Sequence, residues 1–203
     1  MNALEVKNLI KRYGEKVAVN DLSFEIKKGE FFGFLGPNGA GKTSTINSIT
    51  GIGRFDAGEI KVFGHDVVSD YREARRKIGL SPQEFNVDIF RTVEDTLYFV
   101  GGYFGMRKPE RKVRSEYLLE LLGLAPFAKT PFRALSGGYK RRLMLARAMM
   151  HDPEILILDE PTAGVDVELR RDLWRILTEL NQKGKTIFLT THYLEEAQRL
   201  CSR

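Results

Sequence analysis

The sequence predicts an α/β fold in which helices cover both faces of a mainly parallel central sheet. The first observation is a set of short apolar runs that do not alternate with polar residues: FFGFL at 31–35, ILIL at 155–158 and TIFLT at 186–190. Such runs are typical of central strands, because a parallel sheet is buried on both faces. The second observation is that a helical pattern follows each run, at about 42–50, 167–182 and 193–201. This alternation of strand and helix is typical of the α/β class.

The N-terminal residues predict a separate antiparallel β portion. In LEVKNLIK at 4–11, polar side chains interleave with apolar ones, which is typical of a strand buried on one face. A second segment of this kind, LSFEI at 22–26, ends at the turn Lys28-Gly29-Glu30. These half-buried segments form the N-terminal antiparallel β portion of the predicted fold.

The stretch 84–135 predicts a helical subdomain that is inserted into the core. It carries helical patterns at Val93–Tyr103 and Arg111–Leu122 but no buried-strand run. Its breaks fall at Pro109, Gly123, Pro126 and Pro131. We therefore expect a single domain over 1–203, with a core that comprises 1–83 and 136–203.

The composition excludes several classes of protein. A hydrophobic content of 42% and a charged content of 29% are those of a globular domain with enough apolar material for a core. No apolar run is long enough to span a bilayer. The single cysteine, Cys201, excludes an internal disulfide and fits a reducing compartment. The net charge of +5 and the pI near 9.3 permit contact with nucleic acid or anionic lipid but do not require it.

The motif GPNGAGKT at 36–43 predicts a phosphate site. It joins a predicted buried strand to a predicted helix, which is the context that the G-x-x-x-x-G-K-[ST] pattern requires. The glycines let backbone N–H groups face phosphate oxygens, Lys42 brings a charge to the β- and γ-phosphates, and the Thr43 hydroxyl can ligate Mg²⁺. An ordinary glycine-rich turn is the alternative. The residues expected to bind the nucleotide here are Gly36, Pro37, Asn38, Gly39, Ala40, Gly41, Lys42, Thr43 and Ser44.

The motif ILILDEP at 155–161 ends a predicted buried strand with adjacent carboxylates. Asp159 lies at the strand's C-terminal end, where ligands bind in open parallel sheets. We assign it to Mg²⁺, through water. Glu160 comes next, and we expect it to orient and deprotonate an attacking water. A pair of solvated acids is the alternative.

The stretch LSGGYKRRL at 135–143 places a serine and a pair of glycines at the start of a basic helix. Exposed backbone N–H groups at such a helix start favour an anion. The chain thus has a second candidate anion site, far along the sequence from the phosphate loop.

Together these motifs resemble the ATP-binding domains of ABC transporters. The resemblance covers nearly the whole chain and implies a P-loop NTPase core, ATP hydrolysis with Mg²⁺, and a head-to-tail homodimer that encloses two ATP molecules. The motifs occur in the family's order: GPNGAGKT, the glutamine of SPQE at 81–84, LSGGY at 135–139, ILILDEP, AGVD at 163–166, and TTH ending at His192.

The resemblance also assigns roles to single residues. It implies that Gln83 touches Mg²⁺ and the attacking water and links the core to the helical subdomain. It implies that His192 contacts the γ-phosphate and holds Glu160 in line. Tyr13 stands where the family places an aromatic ring on adenine, although a strand-edge tyrosine is the alternative.

Other assignments concern the second subunit of the implied dimer. Ser136, Gly137 and Gly138 cap the γ-phosphate that the partner's phosphate loop holds, and Asp166 crosses the dimer interface. Tyr139, also assigned to this site, occupies a position where the family commonly has glutamine. Any role of a glutamine side chain in binding the ribose is therefore open.

Within the family, LSGGYKRRL, DEPTAGVD and LTTHYLEEAQRLC resemble the ATPase subunits of exporters. These pair with a separate membrane permease, and relatives export drugs, polysaccharides or lipid-linked glycans. The resemblance implies a permease bound near Gln83 and the helical subdomain, a cytoplasmic location at the inner face of the cell membrane, and no nucleic-acid partner. The branch continues past the equivalent of LCSR, so we expect a C-terminal truncation.

Other functions remain as alternatives. A soluble ABC ATPase that acts on ribosomes or DNA is compatible with the basic pI. However, the translation-type members carry two such domains, and the interval 84–135 is too short for the coiled coil of the DNA-repair type. A non-hydrolysing dimeriser ranks last, because Glu160 and His192 are both present.

Overall fold

The computed structural model describes residues 1–203 and contains two four-stranded sheets. The strands are β1 (Asn2–Tyr13), β2 (Lys16–Lys27), β3 (Phe31–Leu35), β4 (Ala57–Val62), β5 (His65–Asp66), β6 (Ile78–Ser81), β7 (Ile155–Asp159) and β8 (Thr186–Thr191). The helices are α1 (Lys42–Thr50), α2 (Tyr71–Lys77), α3 (Val93–Tyr103), α4 (Lys108–Leu121), α5 (Gly137–Met149), α6 (Val167–Gln182) and α7 (Leu194–Leu200). No helix combines the length and the apolar character that a membrane span requires.

The N-terminal sheet is antiparallel, as predicted, with strand order β2-β1-β4-β5. Its inward side chains include Leu4, Val6 and Ile26, each at most 1% exposed. They share a core cluster with Phe32 and Phe188 of the second sheet. The N-terminal sheet therefore packs against the parallel sheet through one apolar face, which explains its alternating sequence.

The second sheet is parallel, with strand order β3-β8-β7-β6. Every residue of β7 and β8 is buried, which confirms that these unbroken apolar runs are central strands. β3 differs from the prediction, because it lies at the edge of the sheet order. The backbone of Phe31 and Gly33 is nevertheless paired, since Ser202 N–H donates to the Phe31 carbonyl and Gly33 N–H donates to that of Arg203.

The stretch 84–135 contains α3 and α4 and two short 3₁₀ turns, at Ala125–Phe127 and Phe132–Ala134. α4 begins at Lys108, three residues before the predicted start. Pro109 was expected to be a break, but it lies in the first turn of α4, where its missing N–H costs nothing. The subdomain boundaries at 84 and 135 stay predictions.

Candidate nucleotide site

The phosphate loop connects the C-terminal end of β3 to the first turn of α1. Gly39 and Gly41 have left-handed backbone angles, with φ of 84° and 87°. At Gly41 a side chain is also excluded by space, because a Cβ atom there would lie 2.3 Å from the Ala18 carbonyl oxygen. The glycines thus let the loop pass directly against β2. The N-terminus of α1 lines the space above the loop, where its N–H groups favour an anion.

A cavity of about 280 Å³ lies over this loop. Its lining contains most of the nucleotide-binding residues that the sequence predicts, and it adds two that were missed, Lys16 and Ala18 of β2. No sequence motif marks these two residues, because the β1–β2 hairpin alone brings them beside Tyr13. The lining residues are Tyr13, Lys16, Ala18, Asn38, Gly39, Gly41, Lys42, Thr43, Ser44, Gln83 and Glu160.

Lys42 lies at the centre of the site. Its side chain is only 6% exposed, and its ammonium donates to the carbonyl oxygens of Gly36 at 2.7 Å and Pro37 at 3.0 Å. The same Nζ lies 3.2 Å from Oε1 of Glu160. The loop therefore holds a buried cation next to the carboxylate that follows β7.

Glu160 has an unusual backbone conformation for a residue with a side chain, with φ of 48°. Its N–H donates both to the carbonyl and to the hydroxyl oxygen of Thr190, each at 3.1 Å. Its Oε2 lies 3.3 Å from Nε2 of Gln83 and 3.1 Å from Nδ1 of His192. Lys42, Gln83 and His192, which were predicted from three separate motifs, thus meet at the buried carboxylate of Glu160.

Asp159 is 2% exposed and accepts hydrogen bonds at both oxygens. The Thr43 hydroxyl donates to Oδ2 at 3.0 Å, and the Thr190 hydroxyl donates to Oδ1 at 2.6 Å. Thr190 was not predicted as a site residue, because it belongs to the apolar run TIFLT. A polar residue within such a run was the signal that could have found it.

The predicted Mg²⁺ ligands Thr43, Gln83 and Asp159 lie around one corner of this site. The Thr43 hydroxyl and the Asp159 carboxylate are in contact, whereas the Gln83 amide faces Glu160. No group of three or more His, Cys, Asp and Glu side chains is close enough to hold a metal by itself. The donor set fits Mg²⁺, which is usually held by one or two carboxylates, waters and substrate phosphates.

The start of α5 lies outside the cavity lining. Ser136 is the N-cap of α5, but its side chain makes no capping hydrogen bond. Gly137 is exposed with open space around it, whereas a Cβ atom at Gly138 would lie 2.2 Å from Cδ1 of Leu169. The structure therefore leaves Ser136 and Gly137 exposed on the surface, and neither lines the cavity over the phosphate loop of the same chain.

The remaining predicted residues lie on other surfaces. Tyr13 is 53% exposed at the mouth of the cavity. The Tyr139 ring packs on Phe127, with ring centroids 4.2 Å apart. Asp166 is exposed and caps α6, because its Oδ1 accepts the Leu169 N–H at 3.0 Å. The roles of Tyr139 and Asp166 in a partner's site stay predictions.

Comparisons with known proteins agree with these motifs. A family model described as ABC transporter matches residues 19–163. The chain is 46% identical over 200 residues to Nod factor export ATP-binding protein I of Burkholderia orbicola (strain AU 1054), covering 98% of the chain and 66% of that protein. It is 42% identical to linearmycin resistance ATP-binding protein LnrL of Bacillus subtilis (strain 168), covering 98% and 64%. The chain thus spans just under two thirds of these relatives.

Solved structures give the same result for the fold. An ATP-binding subunit of an ABC transporter superposes with a TM-score of 0.87 at 30% identity, covering 98% of this chain and 83% of that one. A bacterial ABC transporter cassette solved as a dimer gives a TM-score of 0.87 at 29% identity, covering 97% and 90%.

Proposed function

Because the chain belongs to the ABC transporter family, with the fold of its ATP-binding domains, we propose that it binds and hydrolyses ATP to power an exporter. ATP occupies the cavity over the phosphate loop. The observation that carries this proposal is the buried cluster at Glu160, where Lys42, Gln83 and His192 converge on one carboxylate. A surface pair of acids would not need these partners.

In the proposed reaction Glu160 accepts a proton from a water molecule whose oxygen attacks the γ-phosphorus. The bond between that phosphorus and the β–γ bridging oxygen breaks, so ADP and inorganic phosphate leave. Lys42 and the amides of the phosphate loop stabilise the charge on the transferred group. Mg²⁺, held by Thr43, Gln83 and Asp159, supplies further charge neutralisation when bound. His192 orients the carboxylate of Glu160.

The site is completed by a second copy of the chain in a head-to-tail homodimer. Ser136 and Gly137 at the start of α5 support this arrangement, because the Ser136 side chain makes no capping hydrogen bond and open space surrounds the exposed Gly137. Two-fold symmetry then gives two equivalent sites in one interface. A similar cassette has been solved as a dimer, which supports the same assembly.

A membrane permease binds beside Gln83 and the helical segment 84–135. A groove of about 380 Å³ lies there, lined by residues that include Pro82, Phe104 and Arg147. Apolar side chains of its lining are exposed, with Ile52 at 67% and Phe104 at 41%. This surface is suited to a segment of a partner protein. Binding to the permease would place the chain at the cytoplasmic face of the membrane. Export is the proposed direction, because similar proteins are named for Nod factor export and linearmycin resistance.

The Glu160→Gln variant tests this proposal. It keeps the shape of the side chain but removes the base, so ATP binding should persist while turnover falls by about 100-fold or more. Glu179→Gln is the matched control, because Glu179 is a partly exposed residue of α6 whose carboxylate pairs only with Arg175. Hydrolysis by Glu160→Gln at the parent rate would exclude Glu160 as the base. Co-purification from detergent extracts tests the partner: ribosomes or DNA in place of a membrane protein would contradict the transporter assignment.

A further inference from the structure

We propose that Glu196 is a positioning residue for ATP hydrolysis, because its buried carboxyl group ties the turn that follows Glu160 to the helix that follows His192. The inference rests on the proposed function, since it concerns the geometry of the same catalytic cluster. The stretch LTTHYLEEAQRLC contains Glu196, but the resemblance assigns this residue no role.

Glu196 is completely buried in α7, at 0% exposure. Its Oε1 accepts two hydrogen bonds, from the Thr162 hydroxyl and from the Trp174 indole N–H, each at 2.8 Å. Its Oε2 is also buried and has no hydrogen-bond partner. Glutamate is almost never fully buried unless it is paired. A fold that needed only to fill this volume would do so more cheaply with an apolar side chain.

The three residues of this network belong to three segments of the site. Thr162 lies in the turn after Glu160, where the N–H of Ala163 donates to the Glu160 carbonyl at 3.1 Å. Trp174 belongs to α6, the helix that Asp166 caps. Glu196 itself belongs to α7, which begins two residues after His192. One carboxyl group therefore joins the segments that carry the proposed base, its orienting histidine and the proposed interface aspartate.

The backbone of Glu160 explains why such a link is needed. A residue other than glycine keeps left-handed backbone angles, as Glu160 does, only where its surroundings hold it in place. On the N-terminal side, Thr190 binds the Glu160 N–H. On the C-terminal side, the turn is held by the bond from Thr162 to Glu196. Releasing that bond lets the turn shift, and a displacement of about 1 Å at a catalytic group costs about 100-fold in rate.

Thr162→Val tests the link with least disturbance, because valine keeps the shape of threonine and removes only the hydroxyl group. Glu196→Met removes the acceptor and keeps a long side chain. We expect each variant to lower kcat by about 10- to 100-fold with the KM for ATP changed less than about 3-fold. Glu196→Gln keeps the acceptor oxygen and should restore kcat to within about 3-fold of the parent.

Thr186→Val is the matched control. Thr186 is as buried as Thr162, and its hydroxyl accepts the Gly29 N–H at 3.0 Å, at the opposite end of β8 from the site. A purely structural role predicts that Thr162→Val and Thr186→Val lower the melting temperature alike and leave kcat alike. That result, or a Glu196→Gln variant as slow as Glu196→Met, would overturn the proposal.

Hydrogen exchange tests the hydrogen bond between Thr162 and Glu196 without measuring catalysis. The inference and the proposed function can therefore fail separately. In Thr162→Val and Glu196→Met, the amides of Ala163 and Val165 should exchange about 10-fold faster than in the parent. Exchange in β7 should not change, and Thr186→Val should leave the turn as in the parent. Unchanged exchange in the turn would contradict the inference even if the parent hydrolyses ATP. An inactive parent with faster exchange in these variants would contradict the proposed function, while the link by which Glu196 holds the turn after Glu160 would be supported.

Discussion

The ammonium of Lys42 and the carboxylate of Glu160 form a buried ion pair in which Nζ lies 3.2 Å from Oε1. The two side chains are 6% and 5% exposed, so solvent screens this pair weakly. In the proposed reaction the same ammonium binds phosphate oxygens. A phosphate that approaches Lys42 therefore competes with Glu160, and nucleotide binding is coupled to the release of the proposed base.

Lys42→Met should destabilise the fold as well as weaken ATP binding. Loss of the ammonium removes the only Lys or Arg group within 4 Å of the Glu160 carboxylate, and breaking a buried ion pair from one side costs about 3 kcal/mol or more. Glu160→Gln added to Lys42→Met removes the unpaired charge, so part of this loss should be recovered. Urea unfolding of the parent, both single variants and the double variant measures the coupling. Additive effects on the free energy of unfolding would contradict it.

The elements that could be predicted from the sequence are those whose apolar pattern is long enough to be distinct. β7 and β8 are each built around an apolar run, ILIL and IFL, and α1, α3 and α6 begin and end where their patterns do. β6 was missed, because IGLS is short and contains a glycine. A Cβ atom at Gly79 would lie 2.2 Å from the Ala148 carbonyl oxygen. The glycine that weakens the strand pattern is thus required by the close packing of α5 on β6.

The residues of the candidate site also fall into two groups, those that local sequence spacing predicts and those that only distant contacts define. Lys42 and Thr43 follow the phosphate loop directly, in the first turn of α1, so local spacing was sufficient to predict them. Thr190 and Glu196 act through contacts with residues more than twenty positions away. A sequence pattern gives the order of strands along the chain but not which strands become neighbours. The threonine within the apolar run TIFLT could mark Thr190 as unusual, but its partner Asp159 follows only from the pairing of β7 with β8.

Gly137→Ala should stabilise the isolated chain and weaken its dimer. Gly137 is in the first turn of α5, and nothing lies within 4 Å of the position that a Cβ atom would take. Alanine is favoured over glycine in a helix by about 0.5–1 kcal/mol. In the proposed dimer, however, the added methyl group faces the partner's triphosphate and blocks the approach of the backbone N–H groups.

Gly137→Ala and Glu160→Gln should therefore be combined for the measurement. Glu160→Gln alone is expected to form an ATP-dependent dimer, and the double variant is expected to stay monomeric in sedimentation experiments. Urea unfolding of Gly137→Ala should give a midpoint at or above that of the parent. An ATP-dependent dimer of unchanged affinity would contradict the assignment of Gly137 to the partner's site.

Cys201 should be unreactive in the folded chain. Burial, with the nearby Glu196 carboxylate, raises the pKa of Cys201 to about 12. Because the thiolate is the reactive form, alkylation by iodoacetamide at pH 8 should be at least about 100-fold slower than in urea. Mass spectrometry of timed samples measures both rates. Equal rates in the folded and the unfolded chain would show that this thiol is accessible and ionises normally.

His151 should make stability depend on pH between about 4 and 6.5. Its ring stacks on Phe104 with centroids 3.5 Å apart, and its Nε2–H donates to the Ile78 carbonyl at 2.9 Å. Burial lowers the pKa of His151 to about 4. The unfolded chain therefore binds more protons in this window, so the free energy of unfolding rises with pH by up to about 3 kcal/mol. His151→Phe cannot titrate and should flatten this part of the curve in urea titrations. Parallel curves for the parent and His151→Phe would contradict the lowered pKa.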